Sequence, residues 1–99
     1  MTDEIRNTVP VLFCKTDYMR YISHLDLMRL FHRVLRRTGF KLYLTKGFNP
    51  RPVIRLKNAL KLGIEAYGQE AEFVLAEYVG RDIFVERMNN LLPEGIRLS

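Results

Sequence analysis

The chain has 99 residues, of which 47 % are hydrophobic and 27 % charged, and its formal net charge is +5. This length and hydrophobicity predict one folded domain with a single core and exclude an intrinsically disordered chain. No apolar run approaches the roughly 20 residues of a transmembrane helix, so we expect a soluble protein without membrane association. The single cysteine, Cys14, excludes an internal disulfide and a cysteine-based metal cluster.

The N-terminal residues contain two carboxylates and no apolar segment, which excludes an ordinary secretory signal in this sequence. A cytoplasmic location is therefore expected. Residues 1–8 are predicted to be frayed, and residues 9–99 are predicted to form the domain.

The basic residues are concentrated in the middle of the chain. Residues 14–61 contain twelve Lys and Arg against two Asp, a net charge of +10, whereas the other residues sum to −5. A segregated positive field of this kind attracts polyanions.

The first elements predicted are a strand and a basic helix. Residues 9–15 are rich in strand formers and apolar on both sides, which indicates an interior strand, although Pro10 suits an edge better. Ser23 is predicted to be an N-cap, with Asp26 in the first helical turn. Apolar residues then recur every three or four positions, so a helix is predicted over residues 24–38.

The second half of the chain predicts further strands and a second helix. Residues 40–45 alternate with a period of two, which predicts a strand with Phe40, Leu42 and Leu44 on its core side. The prolines within residues 46–52 predict a stiff loop. Residues 53–56 are compatible with a short strand, and residues 60–67 are ambiguous. The remaining predictions are a turn at Gly68, a strand over 72–79, a helix over 81–92 and a strand over 96–98. The order β-α-β-β-α-β predicts the ferredoxin-like α+β fold, an antiparallel sheet with two helices on one face.

Four arginines lie on the side of the first predicted helix that faces away from its apolar stripe. They occupy positions i, i+4, i+7 and i+8: Arg29, Arg33, Arg36 and Arg37. The guanidinium fork matches the geometry of a phosphate, so a phosphate-binding face is one interpretation. A solvated face that suits the helix dipole and a face for an acidic protein are the others.

A second basic cluster lies in the proline-rich loop and just after it. Its candidate nucleic-acid-binding residues are Lys46, Phe48, Arg51, Arg55 and Lys57. Aromatic rings beside cations are typical of proteins that recognise single-stranded RNA or DNA. Phe48 fits a core position equally well, so its role stays open.

His24 and His32 are the conventional acid–base candidates. Neither has a cysteine or a carboxylate at metal-ligand spacing, so no metal and no cofactor is expected. Ser23, His24 and Asp26 are the residue types of a catalytic triad, but neighbours on one helical turn cannot converge as a triad requires. No catalytic residue is assigned, because a catalytic role is disfavoured for both histidines, and for His32 more than for His24.

Four segments carry a resemblance to a known family: residues 20–29 (RYISHLDLMR), 36–39 (RRTG), 47–52 (GFNPRP) and 92–95 (LPEG). Over residues 9–98 the chain resembles the radical-SAM-linked domain family of unknown function. The resemblance implies a radical SAM protein as partner or neighbour, and members of that family continue beyond the position of Ser99. The Cys-x3-Cys-x2-Cys motif of radical SAM enzymes is absent, so the resemblance implies no iron–sulfur cluster in this chain.

The sequence therefore predicts a non-catalytic accessory module that binds RNA or another polyanion. The alternative is a docking domain for a radical SAM partner enzyme. A looser similarity to ferredoxin-like RNA-processing proteins, whose first helix can carry a catalytic histidine, leaves a metal-independent ribonuclease with His24 as a third hypothesis.

Overall fold

The computed structural model describes residues 4–99, so part of the predicted frayed terminus, residues 1–3, lies outside the described residues. The elements in chain order are β1 (Asn7–Lys15), a 3-10 helix (Asp17–Tyr21), α1 (His24–Arg37), β2 (Ile54–Leu56), β3 (Ala66–Leu75), α2 (Arg81–Leu91) and β4 (Ile96–Leu98). The strands pair in the order β2-β3-β1-β4, and all neighbouring strands are antiparallel. This is the ferredoxin-like α+β arrangement that the element order predicts.

One face of the sheet packs against both helices. Alternate side chains of β1, including Phe13, are buried on this face. Phe31 of α1 packs edge-to-face on Phe13 and on Phe73 of β3, with ring centroids 5.5 and 5.4 Å apart. Phe84 of α2 lies 5.2 Å from Phe73 on the same side. In the part of the chain that the structure describes, the opposite face of the sheet carries no helix, and none of the described helices is long and apolar enough to cross a membrane.

β1 is an interior strand, as predicted, and it also accommodates a proline. Leu12 and Ser99 exchange both backbone hydrogen bonds, at 2.9 and 2.8 Å. In a strand, the backbone N–H and C=O of every second residue point to the same neighbouring strand. Like Leu12, Pro10 therefore points to the β4 side of β1, but it lies beyond the end of β4. Its missing N–H therefore removes no ladder bond, and its carbonyl accepts a hydrogen bond from Arg81 Nε at 3.0 Å.

The predicted strand over residues 40–45 is wrong. The segment makes two isolated bridges, from Leu42 to Leu75 and from Leu44 to Pro52, and β2 occupies the place beside β3 instead. Proline has no N–H to donate, so the segment facing Leu44 does not continue the ladder. Leu42 packs against the core as predicted, whereas Leu44 is exposed.

β3 begins six residues before the predicted strand over 72–79 and ends four residues before its end. The predicted turn at Gly68 is wrong, because this residue lies inside β3 with φ of +58°. Phe13 and Lys15 of β1 are two positions apart, but their partners on β3 are three apart. The additional β3 residue forms a bulge, where a left-handed glycine is favoured. The turn signal therefore marks an irregularity within a strand.

Candidate nucleic-acid interface

The outward face of α1 carries the four arginines that the sequence places together. All four are exposed: Arg29, Arg33, Arg36 and Arg37. At 3.6 residues per turn, the first three lie within about 60° of one another around the helix axis, and the fourth lies about 100° from the third. The stripe therefore has three aligned members and one member at its flank.

Few carboxylates oppose these arginines. A guanidinium nitrogen of Arg29 lies 3.4 Å from Asp26 Oδ1, and both side chains are more than 60 % exposed, so this pair contributes little to stability. Among the described residues, the other three arginines of the stripe make no ion pair. Their side chains are therefore exposed to solvent without an ion-pair partner among residues 4–99.

Residues 44–52 fold back on themselves and are called here the basic hairpin. Leu44 and Pro52 form a bridge at its base. The Thr45 N–H donates to the Arg51 carbonyl at 2.8 Å, and the Arg51 N–H donates to Thr45 Oγ1 at 3.0 Å. These bonds give the proline-rich segment a defined conformation, where the sequence predicts only a stiff loop.

The tip of the basic hairpin projects into solvent. Lys46 is exposed, and Phe48 is fully exposed. The core position that was open for Phe48 on sequence grounds is therefore excluded. The interpretation of this ring as a ligand contact remains.

The basic hairpin meets α1 at His32, a half-buried residue. Burial lowers the pKa of His32, and the positive charges of Arg36 and Arg51 lower it further, against the opposing effect of the Pro52 carbonyl. Arg36 belongs to the helix and Arg51 to the hairpin, so both elements contribute to one electrostatic environment. The two basic clusters approach each other at this histidine, and together they are called the helix–hairpin surface. Its members are Arg29, His32, Arg33, Arg36, Arg37, Lys46, Phe48 and Arg51.

The last two candidate residues lie on the other face of the sheet. Ile54 and Leu56 of β2 pack against the core, so Arg55 between them points to the face without helices. Lys57 Nζ lies 2.7 Å from Glu70 Oε2. Hydrogen bonding to this carboxylate and its charge raise the pKa of Lys57. Arg55 and Lys57 are therefore separated from the helix–hairpin surface by the sheet.

His24 is the first residue of α1 and is exposed. The Asp26 N–H donates to Ser23 Oγ at 3.1 Å, which confirms the capping role of the serine. The His24 side chain makes no hydrogen bond within residues 4–99, and no group of three or more potential metal ligands occurs in that range.

His32 is a member of the surface that sequence reasoning treated only as an acid–base candidate. It precedes Arg36 by four positions, so helical periodicity alone places it beside the arginine stripe. The effect of Arg51 on its pKa has no sequence signal, because it depends on where the hairpin folds back.

The comparison with protein families gives one match. The model of a family described as "Uncharacterized protein conserved in bacteria (DUF2344)" matches residues 9–99, which include all four strands apart from the first two residues of β1. No curated protein and no solved structure matches the chain significantly. Because the family match covers both helices and the basic hairpin, the chain belongs to the DUF2344 family of uncharacterized bacterial proteins.

Proposed function

We propose that this protein is a non-catalytic module of the cytoplasm that binds nucleic acid, with RNA as its ligand, through the helix–hairpin surface. The observation that carries the proposal concerns Arg36 of α1 and Arg51 of the basic hairpin: both are exposed, neither makes an ion pair within residues 4–99, and both act on His32. Guanidinium groups from two elements can contact separate phosphates of one strand. Such contacts dominate the affinity of proteins for nucleic acids.

Three features of the surface support a polyphosphate in preference to a folded acidic protein. The cations are mainly arginines, whose planar fork binds phosphate oxygens in pairs. Among the described residues most of them lack a carboxylate partner. A fully exposed aromatic ring lies in the same hairpin as Lys46 and Arg51, which is the composition of surfaces that bind unpaired nucleotides.

The test compares two variants that lose the same charge from opposite faces of the sheet. One is Arg36→Gln/Arg51→Gln on the helix–hairpin surface, and the other is Arg55→Gln/Lys57→Gln on the open face. Binding of each to a labelled single-stranded RNA is titrated at several salt concentrations. Each phosphate contact contributes about 0.7 to the slope of log K against log salt, so the first variant should lower the slope by about 1.4.

The comparison separates a specific surface from total charge. We expect Arg36→Gln/Arg51→Gln to weaken binding strongly and Arg55→Gln/Lys57→Gln to change it little. Equal losses in both variants would mean that binding follows net charge and not this surface. Failure of the wild-type protein to bind RNA at low salt would refute the proposed function itself.

One observation favours a second function, docking to a partner protein. Exposed apolar side chains lie around the 3-10 helix and the start of β3: Tyr18, Tyr21, Leu62, Ile64 and Tyr67. The loop before β3 is fixed to the 3-10 helix, since the Gly63 N–H donates to the Arg20 carbonyl at 2.7 Å and the Asp17 N–H donates to Glu65 Oε2 at 2.9 Å. Contiguous exposed apolar side chains are typical of protein interaction sites.

The resemblance to the radical-SAM-linked family makes a radical SAM enzyme the partner of this second hypothesis. Coexpression of the two proteins and affinity purification would test it. We expect Tyr18→Ser/Ile64→Ser to abolish copurification and to leave RNA binding unchanged. Copurification that is lost instead in Arg36→Gln/Arg51→Gln would show that the docking site lies elsewhere.

A further inference from the structure

Phe48 has the largest exposed fraction among the exposed apolar side chains of the described residues. Its relative exposure is 105 %, which leaves neither face of the ring covered. The fold therefore gains no burial energy from this side chain. Single exposed apolar residues are common on protein surfaces, so exposure alone does not indicate a ligand.

The backbone that carries Phe48 is held in a defined conformation. Thr45 and Arg51 exchange two hydrogen bonds across the hairpin, at 2.8 and 3.0 Å. Pro50 and Pro52 restrict the returning arm, and Pro52 is buried. A ring on a preorganised support loses little conformational entropy when a ligand covers it.

Cations lie on both sides of this ring along the hairpin. Lys46 precedes Phe48 and Arg51 follows it, and the charges of Arg51 and Arg36 both act on His32. None of these three cations makes an ion pair within residues 4–99. The ligand that complements the tip has a flat apolar face next to negative charge. A nucleotide has both properties.

We infer that Phe48 stacks on an unpaired base of the bound strand while Lys46 and Arg51 contact the adjacent phosphates. The inference rests on the proposed function and narrows the ligand to single-stranded nucleic acid or to the unpaired loop of a folded RNA. In a duplex, the faces of the bases already stack on one another, so they cannot cover the ring without being extruded. In a nucleotide the flat ring and the negative charge are covalently joined, whereas in an acidic protein they belong to separate side chains.

The first measurement is the affinity of Phe48 variants for a single-stranded RNA and for the same RNA annealed to its complement. Phe48→Ala removes the ring, Phe48→Leu keeps an apolar side chain, and Phe48→Tyr keeps an aromatic one. Removal of a stacking ring weakens binding by about 5- to 150-fold per base. We expect this loss in the alanine and leucine variants with the single strand only, and near-normal binding of the tyrosine variant.

The second measurement uses the absence of tryptophan from the chain. Phe48→Trp introduces a single tryptophan at the hairpin tip, which can be excited selectively over the tyrosines, and a base stacked on it should quench its emission. Tyr18→Trp is the matched control, because Tyr18 is also highly exposed. It follows the C-terminal end of β1, whereas the hairpin lies near the N-terminal end of that strand. Single-stranded RNA should quench the tryptophan at position 48 and leave that at position 18 unchanged.

The outcomes distinguish this inference from the proposed function. If the wild-type protein binds RNA but Phe48→Ala binds it equally well, the stacking inference is wrong and the phosphate-binding surface stands. Equal affinity for single strand and duplex, or an unquenched tryptophan at position 48 in the bound state, would also overturn the inference. If no variant, wild type included, binds RNA at low salt, the proposed function fails first. Quenching by an acidic polypeptide without RNA would assign the tip to a protein partner and overturn the inference.

Discussion

Replacement of Gly95 by alanine should destabilise the fold more than a comparable replacement elsewhere. Gly95 precedes β4 and has φ of +97°, a region that costs other residues about 1–2 kcal/mol. A Cβ at this position would lie 2.7 Å from the Thr16 carbonyl oxygen and 2.9 Å from Met19 Cγ. The carbonyl cannot move away easily, because it accepts a hydrogen bond from the Met19 N–H at 3.0 Å.

Gly39→Ala is the matched control. Gly39 has φ of +83°, and a Cβ there would meet no atom within 4 Å. Both substitutions therefore carry the backbone strain and the same change in the entropy of the unfolded chain. Only Gly95→Ala adds the steric overlap, which costs about 1–3 kcal/mol in a packed region. The total for Gly95→Ala is then about 2–5 kcal/mol.

The assay is urea denaturation of the wild-type protein and both variants, followed by circular dichroism. Urea m-values for small domains are about 1–3 kcal/mol per molar. With an m-value near the middle of this range, an additional loss of about 2 kcal/mol lowers the midpoint of Gly95→Ala by about 1 M relative to Gly39→Ala. If the two variants unfold at the same midpoint, the close approach of Gly95 to Thr16 does not exist in solution and the reasoning is refuted.

Three further predictions concern the cap, the core and the histidine of the surface. Ser23→Ala should lower the free energy of unfolding by about 1 kcal/mol, and Ser23→Gly by only a few tenths, because the hydroxyl satisfies the Asp26 N–H; equal effects in urea melts would contradict a capping role. Phe31→Ala should cost about 3–5 kcal/mol, because the ring is fully buried between two other aromatic rings, and a loss below 1 kcal/mol in the same assay would mean that this packing is absent. The pKa of His32 is lower in the folded protein than the ordinary value of 6.5. Just below that pH, the imidazole is therefore protonated more in the unfolded chain than in the folded one. Stability should therefore decrease on acidification through this range, and His32→Gln should show a shallower decrease when melts are repeated at each pH. An unchanged profile would contradict the partial burial of this imidazole near positive charge.

Local signals predicted the helices well. The serine cap, the three- and four-residue spacing of apolar side chains and the glycine after the last turn all lie within α1 or next to it, and the observed helix, His24–Arg37, ends one residue before the prediction. The observed α2, Arg81–Leu91, also ends one residue before the predicted helix over 81–92. These signals depend on interactions between residues a few positions apart, which the order of residues specifies directly.

The strands were predicted less accurately because their limits depend on partners that are distant in the chain. Residues 40–45 have the alternation of a strand, yet the sheet pairs with Ile54–Leu56 at that edge. Gly68 has the signal of a turn, yet β1 pairs on both sides of it and converts it into a bulge. Alternation shows which segments can pair, and only the assembled sheet selects those that do.

The sequence by itself determined the element order, the basic character of the first helix and the presence of a second cationic cluster, because composition and short-range periodicity record these properties. Tertiary structure alone decided which of the cations share a surface. Arg51 and Arg55 are four positions apart, but Arg51 lies with Arg36 beside His32, whereas Arg55 points to the opposite face of the sheet. The side chain of a strand residue changes face with a shift of one position, so the face of each cation follows from the register of β2 on β3 and from the hairpin that precedes it.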